Sequence, residues 1–263
     1  MNMYSKEYFL SDCEGFIQYN ASKGRVLSPR LKKIFGLAGS APGMKILDIG
    51  CGRGELVLHA ASCGAQSVGI DSSDDALKLA GDSLRNWLKK EPRIKDRADF
   101  IKTDCSYLPF QPDTFDVIFF SDIIEHLSPP DLEKTLAATY TILKPEGKII
   151  LHSSPNRIFV RYGLKVYNLL GKLYGKHFAW DMRACLPAGC RKDFHVNEQT
   201  LFSIKKTMRR TGFKHIDLWL EKNPQYIYYF FKDDSFVKRV KLLYRFFPIK
   251  HLFFADIFGV IKK

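Results

Sequence analysis

The stretch Asp48-Ile49-Gly50-Cys51-Gly52-Arg53-Gly54 places an acid just ahead of three glycines at alternate positions. Glycines spaced this way let the main chain turn tightly and let a ligand lie directly against the backbone. The spacing is Gly-x-Gly-x-Gly, not the Gly-x-Gly-x-x-Gly of dinucleotide folds. No Gly-Lys-Ser/Thr follows, so the turn is not a phosphate-binding P-loop either. A carboxylate at Asp48 suits a cationic ligand better than a pyrophosphate. Asp71 follows Gly54 by 17 residues, and Asp104 closes the next apolar run. At the carboxyl end of a strand, Asp71 can accept from both hydroxyls of a ribose, and Asp104 can accept from an adenine amine. Alone, either acid also reads as the cap of the following helix or turn. Three acids at three successive strand ends, beside the glycines, outline a nucleoside-shaped site.

The elements that must hold these residues follow from the patterning. Short apolar runs alternate with helical periods, as in a parallel sheet wrapped by helices. Strands are expected at 44–50, 67–71, 98–104, 115–122 and 148–154. Helices are expected at 55–64, at 74–90 with Ser72 or Ser73 as N-cap, and from Pro129 to about Leu143, with a turn over 144–147. A basic, aromatic helix is expected over 157–176, a loop over 180–193, and a helix over 198–211 capped by Asn197. Strands at 213–221 and 253–262 end the chain, the latter despite Gly259. Ahead of the first strand, 27–37 reads as a helix in a segment that also holds Tyr4, and Tyr8 or Tyr19 could close over a site or simply be core.

The segments ILDIGCGRGE, VGIDSS, FIKTDCSYLPF, FDVIFFSDIIEHL and LKPEGKIIL, in that order, strongly resemble class I S-adenosylmethionine-dependent methyltransferases. The resemblance is close over 44–152 and loose over 195–263. It implies an α/β, Rossmann-like seven-stranded sheet with helices on both faces, its last strand antiparallel and inserted beside the fifth. It also implies S-adenosylmethionine as cofactor. Gly50, Gly52 and Gly54 would border it, and Asp48 would face its methionine amine. Asp71 would bind the ribose with Ser72 alongside, Asp104 and the Cys105 backbone would meet the adenine, and Ser121 would lie near the methionine end. The implied organisation is one domain over 1–263: a helical lid (1–43), a cofactor-binding core (44–154), and a cap built from insertions at 155–196 and 224–250.

Methyl transfer to a hydroxyl needs alignment and removal of a proton. The candidate bases are His126 after the fourth strand, His152 ending the fifth, and His195 before a helix. The pair Glu125-His126 resembles that of quinone-biosynthesis and related small-molecule O-methyltransferases, and HVNEQTL resembles a substrate-side segment of the superfamily. Each has a plainer reading: Glu125-His126 as a buttress, His152 as a sheet residue, His195 as support for a helix start. Ser121-Asp122-Ile123-Ile124 stands where amino-nucleobase methyltransferases carry a Pro-Pro motif, and no Pro-Cys nucleophile follows the fourth strand. The expected reaction is therefore transfer to an oxygen, with nitrogen second, of a small or lipid-linked acceptor such as a quinone precursor or glycan. The alternatives are an RNA methyltransferase and a cofactor-binding regulatory protein without catalysis.

The charge distribution adds a partner question. The 263 residues carry a formal net charge of +13. Residues 1–156 hold 19 Lys and Arg against 20 Asp and Glu, whereas 157–263 hold 22 against 8, together with 22 of the 36 aromatics. In the second half Arg157, Arg161, Lys165, Lys172 and Lys176, and then Lys232, Lys238, Arg239, Lys241, Arg245 and Lys250, interleave with Phe and Tyr. Val237, Val240, Leu243, Tyr244 and Phe247 fit one helical face. Such a helix can pack on its own protein or lie in an anionic membrane surface. Aromatic and basic residues also suit RNA, which ranks behind the membrane because no separate RNA-binding module is present. The oligomeric state is not legible.

Six scattered cysteines form no Cys-x-x-Cys pair, and Cys185 and Cys190 have no second pair or histidine cluster nearby, so no metal is expected. Unpaired thiols suit a reducing compartment. The N-terminus lacks a basic region followed by an apolar one. The apolar tail, Leu242 to Ile261, is broken by Arg245, Lys250, His251 and Asp256. A cytoplasmic location is expected, with the inner membrane face as a peripheral site.

Overall fold

The strand segments are apolar on consecutive residues, which calls for burial on both faces of a parallel sheet. The computed structural model describes residues 4–173, 195–223 and 249–263. Its strands are β1 (Lys45–Ile49), β2 (Gln66–Asp71), β3 (Ala98–Lys102), β4 (Phe115–Ser121), β5 (Leu143–Ser153), β6 (His215–Glu221) and β7 (Asp256–Lys262). They form one seven-stranded sheet in the order β3-β2-β1-β4-β5-β7-β6. Strands β1 to β5 pair in parallel, and β7 runs antiparallel between β5 and β6. This is the sheet expected above.

Alternate strand residues feed two cores. Leu47 and Ile49, Ile118 and Phe120, and Ile149 and Leu151 face α5 (Pro129–Ile142) and α7 (Leu201–Arg210), where Leu132, Leu136, Ile204 and Met208 meet them. Ile46, Val117, Phe119 and Ile150 face the other way, onto Leu31, Ile34 and Ala38 of α2 (Pro29–Ala38) and Leu56 and Ala60 of α3 (Glu55–Ser62). Each such side chain contributes about 1.5–3 kcal/mol by leaving water. The other helices are α1 (Phe16–Ser22), α4 (Asp74–Leu88) and α6 (Leu164–Leu173). Ser28, Ser73 and Ser128 cap α2, α4 and α5 by accepting from Leu31, Ala76 and Asp131 backbone N–H groups. Gly259 sits in mid-strand because Leu218 of β6 covers it: a Cβ there would lie 2.4 Å from the Leu218 Cδ2.

The local chemistry moves several expected boundaries. The turn at 144–147 is absorbed into β5, because Leu143 already pairs with Phe115 before a register shift leads to the Lys148–Val117 pair. Helix α7 starts at Leu201, not at Glu198. Thr200 and Ser203 exchange side-chain and backbone hydrogen bonds as a capping box, which displaces Asn197 as the cap. Strand β7 starts at Asp256, after a helical turn at Lys250–Phe253. The 157–176 helix begins with a wide turn, Phe159–Gly163, and continues as α6. The rest of the expected cap, including Val237 to Phe247, lies outside the described residues, as do Cys185 and Cys190. Among the described residues no helix is long and apolar enough to cross a membrane.

The strand order reverses between β1 and β4, and their carboxyl ends open a crevice there, the usual ligand site of an open α/β sheet.

Candidate active site

A cavity of about 330 Å³ fills this crevice. Asp48, Gly50 and Gly52 from β1 and its loop, Asp71 and Ser72 from β2, Asp104 and Cys105 after β3, and Ser121 from β4 all line it. The glycine loop holds three left-handed residues, with φ of +73° at Gly50, +50° at Gly52 and +78° at Gly54. A Cβ at Gly50 would meet the Ile123 side chain at 2.9 Å. Gly54 does not line the cavity. It ends the loop as the N-cap of α3, packed so closely on Phe100 that a Cβ would lie 2.6 Å from the ring.

Two carboxylates dominate the cavity's electrostatics. Asp48 is buried, and its Oδ1 has no hydrogen-bond partner among the described residues. Burial, then the nearby charges of Asp71 and Glu55, push its carboxyl well above the usual range. Asp71 accepts from the backbone N–H of Gly52 and of Ser73, both at 2.9 Å, so the second acid fixes the glycine loop and the start of α4 together. Burial raises its carboxyl despite these bonds. Asp104 is exposed on the rim and accepts from Ser106 N–H at 2.7 Å, a bond that lowers its carboxyl.

The N-terminal segment covers the cavity through Arg53, which had no role in the sequence reading. Its guanidinium is buried, pairs with Glu55 at 2.9 Å, and donates to the carbonyls of Phe9 and Glu14, each at 2.8 Å. It thereby holds Tyr8, Phe9 and Cys13 against the opening. Tyr4 also lines the cavity. Burial and the charges of Glu125 and Asp71 raise its phenol to about 12. Tyr19, a candidate to close the site, is instead core, its hydroxyl bonded to Ser83 at 2.9 Å.

The far wall carries the histidines. His126 and His195 meet edge-to-face, with ring centroids 4.9 Å apart, and both line the cavity. The backbone N–H of Asn197 donates to the Glu125 carbonyl at 3.0 Å and fastens the segment carrying His195 to the β4–α5 loop. His152 also lines the cavity but has different company. Its Nδ1 lies 2.6 Å from Asp122 Oδ1, its Nε2 faces Asp256 Oδ2 at 3.6 Å, and its ring packs on Phe258. Asp122 is left-handed, with φ +53°, a conformation Asp tolerates. There it reaches both His152 and the Arg30 guanidinium. Burial opposes ionisation of Asp256, but His152, Asn223 and Ser154 outweigh it and hold its carboxyl below the usual range. With both nitrogens facing carboxylates, His152 ties β4, β5 and β7 together and orients the wall.

A family profile described as a methyltransferase domain matches residues 46–147, the span that contributes most of this cavity. Residues 46–147 form a class I S-adenosylmethionine-dependent methyltransferase domain. A ubiquinone/menaquinone biosynthesis C-methyltransferase of Shewanella frigidimarina is 27% identical over 69% of this methyltransferase and 70% of its own length. A mitochondrial ubiquinone biosynthesis O-methyltransferase of Bos taurus is 32% identical, over 47% and 32%. A sterol 4-C-methyltransferase of Caenorhabditis elegans is 31% identical, over 40% and 30%. The match thus spans under a third of the bovine and nematode proteins. Among solved structures, a SAM-dependent methyltransferase from Archaeoglobus fulgidus shares the fold at a TM-score of 0.58 and 18% identity, covering 95% of this chain and all of that one.

S-adenosylmethionine is accordingly the cofactor, and the cavity fits it. Asp48 is a buried acid with an oxygen that no group among the described residues satisfies, a Cβ at Gly50 would crowd Ile123, and Asp71 keeps lone pairs beyond those given to Gly52 and Ser73. The sequence reading gave no role to Arg53, Glu55, Arg30, Asp122 and Asn223, all of which line the cavity, Arg30 and Asn223 from remote segments.

Proposed function

We propose that this methyltransferase transfers its methyl group to an oxygen of a small or lipid-linked acceptor, such as a quinone precursor or a glycan. The observation that supports it most is the His126–His195 pair on the cavity wall. A hydroxyl becomes a competent nucleophile as its proton leaves, and an imidazole at the cavity wall is suited to take it. Bound S-adenosylmethionine supplies an electrophilic methyl group on a sulfonium. In this reading Asp48 pairs with the cofactor's amine and Asp71 takes the ribose hydroxyls. Asp104 and the Cys105 backbone meet the adenine, with Ser72 and Ser121 alongside, while Gly50 and Gly52 give the backbone access. The rival acceptor atom is carbon, favoured by the Shewanella and nematode relatives, which are named as C-methyltransferases.

The reading is tested with radiolabelled S-adenosylmethionine offered with quinone precursors, lipid-linked glycans and RNA. Label is expected in an organic-soluble or small-molecule product and to leave it on treatment with hydriodic acid, which cleaves methyl ethers but not C-methyl bonds. Replacing His126 or His195 by Ala should lower turnover by about 10²–10⁴-fold for whichever is the base, with cofactor affinity little changed. Label confined to RNA, or resistant to the acid, would overturn the oxygen acceptor.

Asp48 sets a pH dependence. With its carboxyl raised in the free protein, the neutral form persists to higher pH than an ordinary aspartate's. Pairing with a cation requires the ionised form. Cofactor affinity is therefore expected to fall as pH drops through that raised value, and binding below it should release a proton. Calorimetry in buffers of different ionisation enthalpy measures this release. Asp48→Asn should abolish both the release and the slope.

A further inference from the structure

Beside the histidine pair stands Glu125, a fully buried side chain that among the described residues forms no salt bridge. Its two carboxylate oxygens accept from Ser153 Oγ at 3.0 Å and from the Ser154 backbone N–H at 3.2 Å. Those bonds fix the carboxylate's direction and leave lone pairs on both oxygens. One ligand atom from each of Glu125, His126 and His195 lies within 4.8 Å of the others. Three donors around one first-row ion at 2.0–2.2 Å stand roughly 3–3.5 Å apart, so a small inward rotation of the side chains closes the set. All three residues line the cavity that holds the cofactor-binding acids.

We propose that Glu125, His126 and His195 bind a divalent transition-metal ion, of which Zn²⁺ is the best fit, at the acceptor end of the cavity. Two imidazoles and one carboxylate suit Zn²⁺, and three protein ligands leave a coordination position open, as in catalytic rather than structural sites. Among the described residues no Lys or Arg pairs with the buried Glu125 carboxylate, and the ion would supply that positive charge. Ser153 and the Ser154 backbone act as the orienting partners that metal-bound carboxylates use. The bond from Asn197 N–H to the Glu125 carbonyl keeps the segment of the third ligand in register with the first two. The open position faces the cavity. There the ion would hold the acceptor's hydroxyl oxygen and lower the pKa of its proton, which would pass to water. With the ion bound, the two imidazoles serve as ligands, and the metal takes over the activating role given above to a histidine base. This last role rests on the oxygen-acceptor reading above; metal binding itself does not. The site escaped the sequence reading because its ligands come from segments some 70 residues apart, whereas the expectation of no metal was drawn from the cysteines.

The full chain, stripped with a chelator and dialysed against Zn²⁺ or Co²⁺, is the test. One equivalent is expected to bind, and the Co²⁺ form should show ligand-field absorption in the visible. His195→Asn, His126→Ala and the shape-conserving Glu125→Gln should each weaken binding by more than the roughly 10–100-fold that loss of an outer partner costs. Calorimetric binding of S-adenosylmethionine by the same variants reports that they are folded. No bound metal in the wild type, or affinity unchanged in all three variants, overturns the site. Transfer to a hydroxyl that survives complete metal removal overturns the metal's catalytic role and leaves the oxygen-acceptor reading intact. Metal bound through these residues with label entering only carbon supports the site and sinks that reading instead.

Discussion

Asp71→Ala is expected to weaken binding of S-adenosylmethionine by about 100-fold or more. A hydrogen bond to a charged group contributes about 1.5–3 kcal/mol, and a carboxylate that accepts from two ribose hydroxyls makes two of them. A loss of about 3 kcal/mol corresponds to a factor of about 100 in Kd. The substitution also removes the acceptor that joins Gly52 N–H to Ser73 N–H, so the glycine loop loses its brace against α4. The demethylated product, S-adenosylhomocysteine, carries the same ribose and should lose affinity in parallel. Asp71→Asn keeps the shape and one acceptor oxygen and should fall between. The effect on folding should be small, because burial already disfavours the ionised form of Asp71 in the free protein. An unfolding midpoint near the wild-type value beside a lost calorimetric signal is the expected pair of results. Affinity unchanged in Asp71→Ala would sink the placement of the cofactor.

The parts of this site that were legible in the sequence are those in which chemistry and spacing are local. Asp48 and the glycines lie within one turn, and Asp71 and Asp104 each sit where a strand ends, so a reading of strand ends places all of them around one opening. Gly54 shows the limit of that reasoning. It shares the pattern of Gly50 and Gly52, yet what its missing side chain makes room for is Phe100, not a ligand. The sheet order was legible through the resemblance, because consecutive apolar positions demand two covered faces but do not say which strand reverses. Helix α7 and strand β5 started elsewhere because a Thr200–Ser203 capping box and the pairing of Leu143 with Phe115 are decided by a few atoms rather than by hydrophobic period. The histidines were individually visible as titratable residues near strand ends. Their division was not: His126 and His195 converge beside Glu125, while His152 is clamped between Asp122 and Asp256. That division depends on β7, which closes the sheet 104 residues after β5's His152 with Asp256.

Arg53→Ala is expected to produce the largest loss of structure of any single change at this site. A long cationic side chain between two glycines of a ligand-binding turn looks out of place until its partners are counted. The guanidinium serves Glu55 and the carbonyls of Phe9, Cys13 and Glu14, and its carbon lies 4.9 Å from the centre of the Tyr19 ring. It is only 4% exposed, as is Glu55. Removing one partner of a buried ion pair costs about 3–5 kcal/mol, chiefly because the other charge is left in a poor solvent. Among the described residues Glu55 Oε1 has no hydrogen bond, and burial, which already raises its carboxyl, penalises the charge that Arg53 would no longer neutralise. The N-terminal segment can relieve part of the cost by lifting away and letting water reach Glu55 and the freed carbonyls. The deficit should then divide between a lower denaturation midpoint and rapid amide exchange confined to residues 8–22. Arg53→Lys should rescue little, because a single ammonium cannot reproduce the planar fork that spans a carboxylate and three carbonyls. Glu55→Gln in the Arg53→Ala background should recover part of the stability by removing the stranded charge, which a simple packing role for Arg53 would not allow. Wild-type exchange over residues 8–22 in Arg53→Ala, with an unchanged midpoint, would show that the segment is held closed by its apolar contacts alone. Slower cofactor release is the functional counterpart of the tether, so the variant should shorten the residence time of S-adenosylmethionine even at temperatures where it remains folded.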